Sequence, residues 1–167
     1  NNFKYFDSKK EMSKVEYLPN WYESDVIQKH SNLFEGINYK FKIIYTGKLS
    51  FAQNSQSLQF FFELISEIPD TCFIYVGDNY QNIKSASNIF SFNSVSQNEL
   101  QYLLSQSSIG VINLDKRHST HNLPGKSLNY LANGLPILAS LNRDNDFIDI
   151  INNNKIGYAT SNEFYQD

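Results

Sequence analysis

The sequence predicts an α/β protein built on a parallel sheet with helices on both faces, and three observations carry that prediction. From Lys42 onward, apolar runs of strand length alternate with stretches whose apolar residues recur at helical spacing. Gly47 and Gly77 each close one of those runs, as expected where a strand hands over to a turn. Residues His121 to Ser140, HNLPGKSLNYLANGLPILAS, read in succession as loop, helix start, helix stop and buried strand. Parallel strands need such crossovers, and β/α alternation supplies them.

Taken in order, Ile43 to Thr46 reads as a strand ending at Gly47. Leu58 to Ile68 reads as a helix, with Leu58, Phe61, Phe62 and Ile65 spaced for burial and Pro69 as its stop. Cys72 to Val76 is the second strand, Asn82 to Ala86 a short helix or loop, and Ile89 to Phe92 the third strand. Ser96 followed by Glu99 forms a capping-box pattern, so a helix runs from Ser96 to Leu104 and buries Leu100, Leu103 and Leu104. Ile109 to Leu114 is the fourth strand. Asn122 then caps a helix with Pro124 in its first turn and Leu128, Leu131 and Ala132 at helical spacing. Gly134 supplies a left-handed stop and Pro136 prevents continuation into the fifth strand, Ile137 to Ala139. Phe147 to Ile151 is a further helix, and Ile156 to Ala159 the last strand. Before this core, Val15 to Leu18 suits a strand and Pro19-Asn20-Trp21 a turn, and the polar stretch from Tyr22 to Asn38 reads as a connector with Trp21 as its packing anchor.

Length and composition restrict what such a fold can do. The 167 residues fit one domain with a substantial core, and 19% charged against 41% hydrophobic residues is a globular balance. A net charge of -3 gives no basic face to follow a nucleic-acid backbone, while a small anion remains within reach. No apolar run is long enough to span a bilayer, and the start NNFKYFDSKK lacks a signal-peptide pattern, so a soluble cytoplasmic chain is expected. The single Cys72 has no internal partner and reads as a buried hydrophobe, consistent with a reducing compartment. The excess of 13 Phe and 11 Tyr is assigned mostly to the core.

In open parallel sheets ligands bind outside the carboxyl ends of the strands, where the strand order reverses. Gly47, Gly77 and the Pro124-Gly125 helix start lie at such ends. Neither a dinucleotide fingerprint nor a Walker loop is present. The N–H groups from Leu123 to Ser127, with Lys126 beside them, form an expected phosphate cradle. Lys126 is the more informative cation, because a positive charge near a helix start is unfavourable until an anion arrives. Lys48 is on local grounds a surface lysine, and Asn129, near Lys126 on the helix, is positioned to face the crevice. His118, His121 and Asp115 share a polar loop whose spacing fits no closed zinc site, and Asp144, Asp146 and Asp149 read as an exposed helix face.

Three segments in order resemble the C-terminal, donor-binding half of GT-B fold glycosyltransferases, most closely glycosyltransferase family four. VEYLPNWY, Val15 to Tyr22, is similar to the strand and Pro-Asn-Trp that lead into the donor half. IYTGKLSFAQNSQSL, Ile44 to Leu58, is similar to the first strand, glycine turn and Gln-bearing helix start of members that build bacterial surface polysaccharides. Residues 121–140 resemble the family's Pro-x-Lys-(x)2-Glu-Tyr-x-(x)2-Gly-x-Pro-hydrophobic pattern. Ile74 to Asp78 and Phe92 to Leu104 agree with the second-strand turn and with the third strand and its helix.

The resemblance implies a Rossmann-like half of a GT-B fold, with residues 1–40 as interdomain connector and leading strand and 41–167 as the nucleotide-sugar-binding domain. It implies transfer of a sugar, with retention, from a UDP- or GDP-sugar to a glycan or lipid-linked acceptor in polysaccharide or glycoconjugate synthesis, with no metal required. On the family's pattern Leu123, Pro124, Gly125, Lys126 and Ser127 hold the diphosphate, and Gly47 lets the backbone come close to it. Lys48 and Lys126 neutralise the leaving group, Ser94 and Val95 meet the nucleobase, and Asn129 meets a ribose hydroxyl. An N-terminal acceptor-binding domain is implied as the missing partner, so this portion alone is expected to be inactive. Any membrane association, at its inner face, would come through the full-length enzyme. His121 and Asn129 stand where the family often has glutamates, and Asn54 where many members have a second phosphate-binding lysine. A nucleotide-sugar 2-epimerase and a non-catalytic binding module on the same fold are the alternatives.

Overall fold

The computed structural model describes residues 32–48, 55–83, 86–114, 123–142 and 144–161. The expected strand at Val15 to Leu18, the Pro19-Asn20-Trp21 turn, Tyr22, Asn54, Asp115, His118, His121 and Asn122 lie outside them, as does the side chain of Leu58.

Six strands form one sheet: β1 Phe41–Thr46, β2 Thr71–Val76, β3 Ile89–Phe92, β4 Ile109–Asn113, β5 Ile137–Ser140 and β6 Gly157–Thr160. Their order is β3-β2-β1-β4-β5-β6 and every pairing is parallel. This is the doubly wound, Rossmann-like arrangement expected, with its switch point between β1 and β4. The strands are enclosed on both faces, so β2 is buried along its whole length, as a continuous TCFIYV run should be.

Helix α1, Ser55–Ser66, covers one face. Its Phe61, Phe62 and Ile65 are buried against Ile43, Tyr45, Phe73 and Tyr75, with the Phe62 ring 4.0 Å from that of Phe73. Asn88 secures the end of this helix, donating from Nδ2 to the carbonyls of Ile65 and Thr71 at 3.2 and 2.8 Å. The opposite face carries α2 Gln97–Ser105, α3 Lys126–Ala132 and α4 Phe147–Asn153, packed on Ile44, Ile74, Ile112, Ile137 and Ala139. Leu33, Phe34, Ile37 and Tyr39 of the approach to β1 join this second cluster.

Local chemistry sets the helix limits. Ser96 and Glu99 form the expected capping box, with Ser96 N–H donating to Glu99 Oε2 at 3.0 Å. The Ser96 hydroxyl, with that N–H as the smaller contribution, holds the Glu99 carboxyl below its ordinary range. On α2, Leu103 and Leu104 are buried as expected, but Leu100 is only partly covered and Gln101 is buried instead. On α3 the helix expected from Leu128, Leu131 and Ala132 is present, with Leu131 and Ala132 exposed and Ser127 and Tyr130 turned inward. Pro124 stands ahead of the helix rather than in its first turn, since Gly125 occupies the cap position. Gly134 has φ of 69° and ends the helix as expected. Asp144 and Asp146 lie in the loop before α4 and only Asp149 is on the helix, so they do not form one helix face.

Candidate anion site at the sheet switch point

β1 and β4 pair only at Ile43–Ile109 and Ile44–Gly110, after which the two strands separate towards their carboxyl ends. Tyr130 fills the split. Its ring lies where a Cβ on Gly110 would come within 2.4 Å, so only glycine admits it. Its hydroxyl accepts from Thr46 N–H at 3.0 Å and donates to Val111 carbonyl at 3.2 Å, with Thr46 Oγ1 also 3.2 Å away. One side chain thus satisfies the ladder groups that the strands stop giving each other. Burial pushes this phenol up to about 12 despite the Thr46 contacts.

One helical turn earlier, Lys126 occupies the mouth of the split. Its Nζ lies 3.6 Å from the centroid of the Tyr45 ring, and a Cβ on Gly47 would be 3.5 Å from it. The residue is part-exposed through its stem, yet Nζ is buried and has no hydrogen-bond partner among the described residues. Burial lowers its pKa from 10.5 to about 7. Tyr45 lies stacked on Tyr75, ring centroids 5.7 Å apart, and burial raises its phenol well above the usual value.

The neighbouring turns are tied to this point. Tyr75 places its one hydroxyl proton between the carbonyls of Gly47 and Asp78, at 2.8 and 2.6 Å. Asp78 Oδ1 accepts from Ser94 Oγ at 2.6 Å. Gly47 has φ of 115°, and a Cβ on Gly77 would overlap the Gly47 carbonyl at 2.0 Å. Backbone therefore packs directly on backbone where β1 and β2 end. The turns after β1, β2 and β3 form one hydrogen-bonded rim, with Lys126 below its first member.

The structure thus brings Gly47 and Lys126 into contact and links Gly47 to Ser94 through Tyr75 and Asp78. Lys48 is exposed beside Gly47, and Val95 is half-buried next to Ser94. Leu123 and Pro124 are half-buried and Gly125 exposed. Ser127 is buried, and its N–H and hydroxyl both donate to the Pro124 carbonyl, at 2.9 and 2.6 Å. Asn129 turns its side-chain oxygen to Gln101 Nε2 at 3.5 Å, in a network where Asn133 Nδ2 donates to Gln101 Oε1 at 2.7 Å. Among the described residues no group of His, Cys, Asp and Glu side chains could hold a metal ion, and no helix is long and apolar enough to cross a membrane.

Tyr45, Tyr75, Tyr130 and Asp78 are site residues that the sequence reading passed over. A signal for two of them exists: Tyr45-Thr46-Gly47 and Tyr75-Val76-Gly77 repeat Tyr-x-Gly at the same register of adjacent strands.

No protein-family model and no curated protein matches the chain. Solved structures do. The glycosyltransferase SnogD from Streptomyces nogalater is similar at a TM-score of 0.52 and 17% identity, over 87% of this chain and 36% of that one. The glycotransferase of kitacinnamycin is similar at 0.50 and 14%, over 74% of this chain and 31% of that one. This chain therefore spans about a third of each structure's length. At these identities the likeness is one of fold, and it agrees with the Rossmann-like half of a GT-B architecture.

Proposed function

We propose that the chain is the donor-binding part of a glycosyltransferase and that its crevice takes the diphosphate of a nucleotide sugar. The observation that carries this reading is the buried Lys126 amine, without a hydrogen-bond partner among the described residues, at the point of the sheet where ligands of this fold class bind. A buried cation without a partner costs stability and is retained where an anion completes it. Lys126 from below Gly47 and Lys48 from its exposed side would converge on charge placed against the Gly47 backbone.

In this reading transfer proceeds by electrostatic stabilisation of the departing diphosphate, which these two lysines and the backbone at Gly47 and Gly125 provide without reorganising. The base lies along the rim at Ser94 and Val95. Asn129, its oxygen already turned to Gln101, offers its amide nitrogen to a sugar hydroxyl. The likeness in fold to two glycosyltransferases supports the class of reaction, while donor, acceptor and retention of configuration belong to the proposal.

Titration with UDP, GDP and their sugars, followed by thermal unfolding, tests it. Ligand at a hundred times its dissociation constant adds about 2.7 kcal/mol to stability. The shift should vanish in Lys126→Ala and survive in Asp149→Ala, whose side chain is exposed on α4. Absence of any shift with millimolar nucleotide overturns the reading.

A further inference from the structure

We infer that anion binding at this site is coupled to proton uptake: Lys126 rests as a neutral amine on the face of Tyr45 and becomes charged when a diphosphate is placed against Gly47. The inference rests on the proposed function and adds to it a pH-sensitive control of the same site.

Three features of the packing lead there. First, Nζ is sealed between an aromatic ring at 3.6 Å and the Gly47 backbone, where an ammonium would leave its N–H donors without acceptors. The ring face offsets only part of that loss, because it attracts the charge without accepting a hydrogen bond from each N–H. Second, the charged and titratable groups around it supply no counterion among the described residues. From β1 and its turn come Tyr45 and Lys48, from β2 and its turn Tyr75 and Asp78, from α3 Tyr130, and from β4 none. The Asp78 carboxylate is engaged by Ser94 Oγ, and the phenols of Tyr45 and Tyr130 are held protonated by burial. Asp115, Lys116, Arg117, His118 and His121, between β4 and α3, lie outside the described residues and must be controlled for by experiment. Third, the low pKa of about 7 has desolvation as its cause with no opposite charge to offset it, so an anion arriving beside Nζ supplies that charge, favours the ammonium and draws a proton from solvent. Since α3 has only seven residues and the Ser127 amide is already engaged, the side chain and not the helix start carries the site.

The proton balance is simple. The amine gains one proton from buffer as the fully ionised diphosphate binds, and no bond to the ligand forms or breaks.

Calorimetric titration of the whole chain, in pairs of buffers with different ionisation enthalpies, reads that proton directly. UDP, GDP and methyl diphosphate serve as probes, from about pH 7.5 to about pH 9, above the range of about pH 6 to 7 in which the terminal phosphate of such monoesters titrates. Uptake should approach one proton per ligand by about pH 8, and affinity should fall roughly tenfold per pH unit above it. Lys126→Arg, charged throughout, should bind with no such uptake and a flat pH profile. His118→Gln/His121→Gln should retain the wild-type profile. If arginine does not fit beneath Gly47, Lys126→Met provides the second comparison without ligand: the rise in wild-type stability between about pH 7 and pH 8.5 should be absent from it, and its persistence there overturns the inference.

The inference is overturned if wild-type binding takes up no proton and keeps its affinity across this range, or if the uptake persists in Lys126→Arg or disappears in the histidine variant. Binding of methyl diphosphate with uptake, but of neither UDP nor GDP, would leave the inference standing and overturn the nucleotide reading. Binding of none of the three probes at any pH overturns both.

Discussion

Lys126 places a cost inside the domain that the fold alone does not require. A buried amine without an acceptor lowers stability in proportion to how often it is charged, and methionine fills nearly the same space with no charge to desolvate. Lys126→Met should therefore be more stable than the wild type near neutral pH, by about 1–3 kcal/mol, while losing nucleotide binding; denaturant unfolding beside ligand titration checks both. The sign with pH follows from the depressed pKa. Between about pH 7 and the unfolded value of 10.5 the unfolded chain binds more protons than the folded one, so stability rises with pH. The slope is at most about 1.4 kcal/mol per pH unit. Cys72 acts in the opposite sense, because burial pushes its thiol from 9.0 up to about 11 and stability falls as pH rises through that range. The lysine contribution is thus read cleanly between about pH 7 and pH 8.5, and a wild-type slope there that survives in Lys126→Met would show that another group causes it.

At the scale of elements, the β1–β4 split depends on α3 through a single phenol. Tyr130→Phe keeps the ring against Gly110 but leaves the Thr46 N–H and the Val111 carbonyl without their present partner. The expected loss is about 1–3 kcal/mol in unfolding free energy, with faster amide exchange at Thr46. A variant within about 0.5 kcal/mol of wild type would mean that the strands re-pair without the hydroxyl. Ser96→Ala should cost about 1 kcal/mol through the capping box. Ser96 and Glu99 were readable in advance because capping is local, as were the strands, whose apolar runs need no tertiary context to be recognised. The inward face of α3 was not readable. Leu131 and Ala132 mark the helix but are exposed, and the buried positions are a serine that bonds the preceding turn and a tyrosine whose hydroxyl has a backbone partner. Polar residues that bury themselves by satisfying backbone groups carry no hydrophobic signal. The same limit hid Gln101 and the inward turn of the Asn129 oxygen. Lys126 was legible as a cation beside a helix start, but its seat on Tyr45 depends on a ring contributed from another strand.

The whole molecule joins its two hydrophobic clusters through strands that belong to both. On β2, Phe73 and Tyr75 face α1, while Cys72, Ile74 and Val76 face the other three helices. Adjacent residues of one strand are thus anchored in opposite layers, and neither layer can dissolve without removing support from the other. The two layers are not alike in depth. Among the described residues one α-helix covers the first face and three cover the second, and the first cluster relies on the contacts of Phe73 with Phe61 and Phe62 at 5.9 and 4.0 Å. Independent melting of the thinner side is the alternative outcome of truncation there, but shared strands argue for one transition. Phe73→Ala should cost about 3–5 kcal/mol and Ile74→Ala about 2–5 kcal/mol, each moving a single cooperative unfolding curve without splitting it. Far-ultraviolet dichroism, which follows the whole sheet, and near-ultraviolet dichroism, with Tyr45 and Tyr75 in one layer and Tyr130 in the other, should give coincident midpoints for both variants. Separate midpoints in Phe73→Ala would show that the α1 layer unfolds independently. Since Tyr45 and Tyr75 support the Gly47 turn and the Lys126 amine, the proposed nucleotide binding would then be lost before the sheet is.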